Sequence, residues 1–174
     1  MMARYIAPAD FRCRRSAPLS VQLQLKKRDG REGVRVWVDD LDGLLGLIEM
    51  DVVEVHPWGA VVDDIERPDV LVFDLDPGEG ISWDFVVDTA FRLREVLAEN
   101  GLDSWPKLTG SKGLHVMMPV EPDLTWDAAH DYTRVVAERL AATDQGRYTT
   151  SAALLDRPGR LFVDYLRNGR VRPR

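Results

Sequence analysis

Apolar positions along this chain follow two rhythms. Short alternating or unbroken apolar runs occur in VRVWV (34–38), DVVEVHPWG (51–59), DVLVFDLD (69–76), SWPKL (104–108), LHVMMPV (114–120) and RLFVDYL (160–166). Runs of this length, rich in Val, Phe, Trp and Leu and bounded by Gly, Pro or Asp, predict strands. Helical spacing governs the stretches between them. Asp39 or Asp40 caps LDGLLGLIEM. Ser82 caps a helix to Asn100-Gly101 with Phe85, Val86, Ala90, Leu93, Val96 and Leu97 inward. Thr125 caps a third, with Ala129, Tyr132, Val136 and Leu140 inward. DVLVFDLD is almost wholly apolar, which predicts burial on both faces until its carboxylates emerge.

Mixed hairpin and crossover spacings predict an α+β fold, a mixed or antiparallel sheet layered with helices. Residues 1–33 are the least patterned, and KKRDGREG reads as a loop. The expected organisation is an irregular basic segment over 1–33, one domain over 34–170 and a basic tail at 171–174.

Charge sharpens this picture. The net charge is −6, yet residues 1–32 hold eight Lys/Arg against three acids, and residues 157–174 hold six Arg against one acid. Basic ends on an acidic body suggest local contact with an anion such as phosphate or nucleic acid, rather than a general DNA coat; solvated tails are the plain alternative. No apolar run approaches the roughly 20 residues of a membrane span, and MMARYIAPADFRCRR has no hydrophobic signal region, so the expectation is a soluble, cytoplasmic, nucleoid-associated protein without a membrane partner. The single Cys13 excludes an internal disulfide framework and a multi-cysteine metal site.

Two constellations carry candidate chemistry. In VFDLDPGEG the period-2 alternation puts Asp74 and Asp76 on one face, and Asp164 lies in another apolar strand, LFVDYL. A half-buried carboxylate is costly unless paired or metal-bound. If the strands are neighbours, the three form an oxygen-rich cluster of the kind Mg²⁺ or Mn²⁺ prefers; otherwise Asp76 starts a turn and Asp74 caps an amide. The second constellation is LTGSKGLHV (108–116). Its glycines let backbone amides approach phosphate oxygens, Thr109 and Ser111 supply hydroxyl donors, Lys112 a point charge, and His115 an imidazole. It lacks the spacing of a Walker loop, and a tight hairpin with a core histidine is the alternative.

VVEVHPWG, RPDVLVFDLDPG, GSKGLHVMMPV and RLFVDYLRNGR, in this order, resemble the polymerase domain of bacterial DNA ligase D, of the archaeo-eukaryotic primase superfamily, over residues 34–170. The resemblance implies a primase-polymerase core with a palm like an RNA-recognition motif. It implies metal binding by the catalytic Asp74, Asp76 and Asp164, which would hold two divalent ions, Mn²⁺ or Mg²⁺. It assigns nucleotide contacts to His56, Thr109, Lys112, His115 and Arg167, joined by Ser111 from the loop reading. The implied function is a metal-dependent nucleotidyltransferase adding nucleotides to DNA ends in non-homologous end joining, with a nucleoside triphosphate, DNA ends, the Ku protein and a ligase module as partners.

Residues 1–33 do not reproduce the basic N-terminal elements of that family, and TTSAALLDRPG offers only Arg157 where a basic cluster is usual. A truncated, non-catalytic primase-like module that binds metal, nucleotide or DNA ends is therefore the second reading.

Overall fold

The computed structural model of the chain describes residues 5–8, 21–26, 32–38, 40–49, 51–52 and 57–169. Two compact units form, one of residues 1–67 with 170–174 and one of Pro68–Gly169. In the first, β1 (Tyr5–Pro8), β2 (Val21–Lys26) and β3 (Glu32–Val38) make an antiparallel sheet in the order β1-β3-β2. This corrects the expectation of an irregular segment over 1–33. The ladder between β2 and β3 runs as far as Lys26 opposite Glu32, so pairing reaches into the charged stretch that reads as a loop. Cross-strand pairing supplied an order that the weak apolar pattern of these residues does not announce. Helix α1 (Leu41–Glu49) follows, and Asp40 is its cap, with Oδ1 accepting the Gly43 N–H at 2.7 Å. Asp51, at φ 59, ends it in the left-handed conformation. His56 and residues 53–55 of the expected strand at 51–59 lie outside the described residues, as do Cys13 and the tail at 171–174.

The second unit holds β4 (Val70–Pro77), α2 (Trp83–Ala98), β5 (Trp105–Leu108), β6 (Leu114–Pro119), α3 (Trp126–Ala142), β7 (Tyr148–Thr149) and β8 (Leu161–Asp164). Its five strands run β5-β6-β4-β8-β7, antiparallel except for the β7–β8 pair. Without the short β7, the order is the βαββαβ arrangement with a four-stranded antiparallel sheet, as expected of a palm like an RNA-recognition motif. Ser82 and Thr125 cap α2 and α3, accepting the N–H groups of Phe85 and Ala128.

Both helices pack on one face of this sheet. Leu71, Phe73 and Leu75 of β4, Val116 of β6 and Leu161 and Val163 of β8 interlock there with Val86, Leu93 and Leu97 of α2 and Ala129, Ala137 and Leu140 of α3. Burial along β4 therefore alternates, odd positions buried and even ones half-buried, instead of being complete on both faces. An antiparallel sheet with its helices on one side reads as apolar-in, polar-out, and the even positions of β4 are where the carboxylates stand. Val96 and Tyr132 are only half-buried, and Thr89 and Thr133 take fully buried places, each donating to the carbonyl four residues back.

Candidate active site

On the face opposite the helices, neighbouring strands set charged side chains side by side. Asp74 of β4 is the register partner of His115 on β6 and of Asp164 on β8, so the three form one row across the sheet. Directly paired residues bring their Cβ atoms to about 5 Å. Asp76 lies two residues along β4 on the same face, opposite Phe162. Alternation explains Asp74 with Asp76; the β4–β8 pairing explains Asp164.

Each carboxylate has its own partners. Oδ2 of Asp74 accepts from Nε of Arg167 at 2.9 Å, forms an ion pair with its Nη2 at 2.8 Å and stands 3.3 Å from Nε2 of His115. Burial pushes the Asp74 carboxyl up, but the His115 hydrogen bond and the Arg167 charge outweigh it and hold the group below the ordinary carboxylate range. Asp164 goes the other way. Burial raises it, the Asp74 charge adds to the rise, and the Leu166 N–H donated to its Oδ1 at 2.7 Å offsets only part. Asp76 is met by Nη1 of Arg157 at 2.7 Å and by Nζ of Lys112 at 3.5 Å, and Lys112 also donates to the Pro77 carbonyl.

The Arg157 guanidinium is itself held. It stacks over the Phe162 ring at 4.1 Å and donates through Nη2 to the Ala152 carbonyl. The loop that follows it is knit to the turn after β4: Gly78 N–H donates to Arg160 O, and Gly159 N–H to Glu79 O, each at 2.9 Å. A Cβ at Gly78 would fall on the carbonyl oxygens of Arg157 and Arg160, so the Pro-Gly turn is glycine because two backbones touch there. Gly113 plays a similar part, since a Cβ there would lie 3.0 Å from Leu75 O and 3.4 Å from Asp74 Oδ1.

The structure thus brings together Asp74, Asp76, Asp164, Lys112, His115 and Arg167. Thr109 and Ser111 lie exposed in the β5–β6 loop that delivers Lys112, with Gly110 at φ 82 making the turn. Arg157 escapes a reading by motif. The available signal was its isolation as the one cation in TTSAALLDRPG, four residues before the Leu161 that pairs with Pro77. The carboxylate oxygens are hard donors suited to Mg²⁺ or Mn²⁺, and in donor type they fit such ions. Among the described residues no three acidic, His or Cys groups already converge in ligating geometry; in this state Arg167 and Arg157 balance Asp74 and Asp76.

A family model of the LigD primase-polymerase domain matches residues 11–172. The chain belongs to this family. The match begins inside the segment whose sequence was expected to lack the family pattern. Among curated relatives of this LigD domain chain, the multifunctional non-homologous end joining protein LigD of Pseudomonas aeruginosa is 34% identical over 129 residues, 74% of this chain and 15% of that protein. The bifunctional LigD of Bacillus subtilis is 30% identical over 132 residues, 75% of this chain and 21% of the relative. The chain therefore spans about a fifth or less of the length of these relatives. Among solved structures, the polymerase domain from Mycobacterium tuberculosis Ligase D in complex with DNA superposes with a TM-score of 0.83 at 24% identity, covering 97% of this chain and 66% of that one. That likeness establishes the fold.

Proposed function

We propose that this LigD-type domain is a metal-dependent nucleotidyltransferase that adds nucleotides to DNA ends during end joining. The observation that carries the reading is the convergence of Asp74, Asp76 and Asp164 with Lys112, His115 and Arg167 on one sheet face. Family membership supports it, and the fold neighbour is described in complex with DNA. Asp74, Asp76 and Asp164 would hold two Mn²⁺ or Mg²⁺ ions, which when bound neutralise charge on a transferring phosphoryl group and acidify the primer 3′-hydroxyl. Lys112 and Arg167 grip the triphosphate as hydrogen-bonding cations, and the His115 imidazole adds a hydrogen-bonding ring nitrogen. Thr109 and Ser111 offer hydroxyls at the loop rim, and His56 joins them by resemblance. Preorganised charge and position, rather than covalent chemistry, are what these side chains contribute. Ku and a ligase module are the partners this reading implies, and ribonucleotides a substrate to try first.

The pairing of Asp74 and Asp76 with guanidinium groups favours a second reading, a module whose carboxylates are balanced by its own cations and which binds DNA ends or nucleotide without catalysis. Primer extension on a recessed DNA end with Mn²⁺ and ribonucleotides separates the two. The enzyme reading expects addition of one or a few nucleotides, lost in Asp76→Ala. Inactivity at low salt leaves the binding module.

A further inference from the structure

Asn168 is 2% exposed although it stands in the turn just after Arg167. Its carboxamide pairs with the main chain of Val72: Oδ1 accepts the Val72 N–H at 2.7 Å, and Nδ2 donates to the Val72 carbonyl at 2.7 Å. Nδ2 also donates to the Tyr165 carbonyl at 3.0 Å, which the Asn168 N–H reaches at 3.1 Å.

This pairing solves a backbone problem. With Asp74 opposite Asp164, a continuing β8 would set residue 166 opposite Val72 and exchange both hydrogen bonds with it. Instead β8 stops, and the Leu166 N–H turns onto Asp164 Oδ1. Two backbone groups of β4 would be left without partners, at a cost comparable to lost hydrogen bonds. The Asn168 side chain supplies both partners, acting as a strand residue while the chain at 165–167 leaves the ladder. That departure carries Arg167 over the sheet to Asp74. Only an amide of this length combines a donor and an acceptor with peptide-like spacing: Asp lacks the donor, and Ser carries both on one atom.

We propose that Asn168 is the positioning residue for Arg167, fixing its guanidinium at Asp74 and so setting the affinity of the site for a triphosphate. The affinity clause rests on the reading of Arg167 as a triphosphate contact; the placement clause stands on the hydrogen bonds alone. In the intact chain, two measurements test them. The first is solvent exchange of the Arg167 Nε–H, followed by ¹⁵N NMR at neutral pH and assigned with Arg167→Lys. The wild type should show a protected signal, and Asn168→Asp, which keeps the shape but loses both N–H donors, should exchange at least roughly tenfold faster. The second is calorimetric binding of ATP with Mn²⁺. Asn168→Asp should weaken it by about the same factor as Arg167→Ala, on the order of tenfold for a charge-assisted contact, and the double variant should be no weaker than Arg167→Ala. Asn168→Ser replaces Asn168→Asp if the latter does not fold. A variant with a lower melting temperature but unchanged Nε–H exchange and ATP affinity overturns the proposal, as does an unprotected signal in the wild type. If the wild type binds no ATP, the triphosphate reading falls, and the exchange measurement still decides whether Asn168 places Arg167.

Discussion

Asp74 and Asp164 stand opposite each other across the β4–β8 ladder, and the fold drives their proton affinities apart. Burial acts on both; at Asp74 the His115 hydrogen bond and the Arg167 guanidinium outweigh it, whereas at Asp164 the Leu166 N–H and the Arg167 and Arg157 charges do not. Asp164 binds its proton more tightly in the folded chain than in the unfolded one, so its contribution to stability falls as pH rises above the ordinary value of 3.8. Asp74 does the reverse. Its contribution is present above that value and is lost as pH falls below it. At pH 7 without metal, Asp164→Asn should raise the melting temperature and Asp74→Asn should lower it. Thermal unfolding between pH 3 and 8 checks this, and the same sign for both substitutions would refute it.

Divalent ions should reverse that preference. If the three carboxylates bind Mn²⁺, millimolar Mn²⁺ raises the melting temperature of the wild type through preferential binding to the folded state. Asp164→Asn and Asp76→Ala should both lose the rise. Calorimetric scans with and without Mn²⁺ measure it, and a flat response in the wild type argues against metal binding.

Gly78→Ala should destabilise the domain severely, by at least about 2 kcal/mol, because the added methyl meets two backbone carbonyls that cannot move independently. Gly80→Ala is the control. It has φ 85 but open space around the new methyl, so only the backbone conformation opposes it, at about 1 kcal/mol. Urea titration of both variants gives the comparison, and equal costs would show that the contact with Arg157 and Arg160 is not what selects glycine.

Arg157→Ala removes the short ion pair with Asp76, the stack on Phe162 and the bond to Ala152 O. It should cost about 1–3 kcal/mol, since a partly buried carboxylate loses its closest cation. Adding Asp76→Ala should recover part of that loss. A double-mutant cycle in urea reads the coupling, and strictly additive costs would mean that the pair contributes nothing.

Lys112 is 68% exposed at its side chain and bonds only the rim of the site. Lys112→Ala should shift the melting temperature by less than about 2 °C, as expected of a surface pair, while weakening ATP binding about fivefold or more. His115→Ala, at a half-buried position against Asp74, should cost more stability than Lys112→Ala. Comparable stability losses with unchanged ATP affinity would assign both residues to structure alone.

The sequence by itself determined the elements with strong periods and caps. Ser82 and Thr125 start α2 and α3 because a hydroxyl before an apolar 3.6-residue stripe has few other uses. Asp74 and Asp76 share a face because the pleat has period 2, and four motifs in order carried the family resemblance. The tertiary structure decided the rest. Pairing with β3 made strands of residues 5–8 and 21–26, where local pattern was weak. Placing α2 and α3 on one side turned the apolar run of β4 into an alternating one. Arg157 reaches Asp76 across 81 residues of sequence, and Asn168 reaches Val72 across 96. Such contacts depend on which strands become neighbours and where a ladder stops; side-chain spacing records the geometry of one element, and these bonds belong to two.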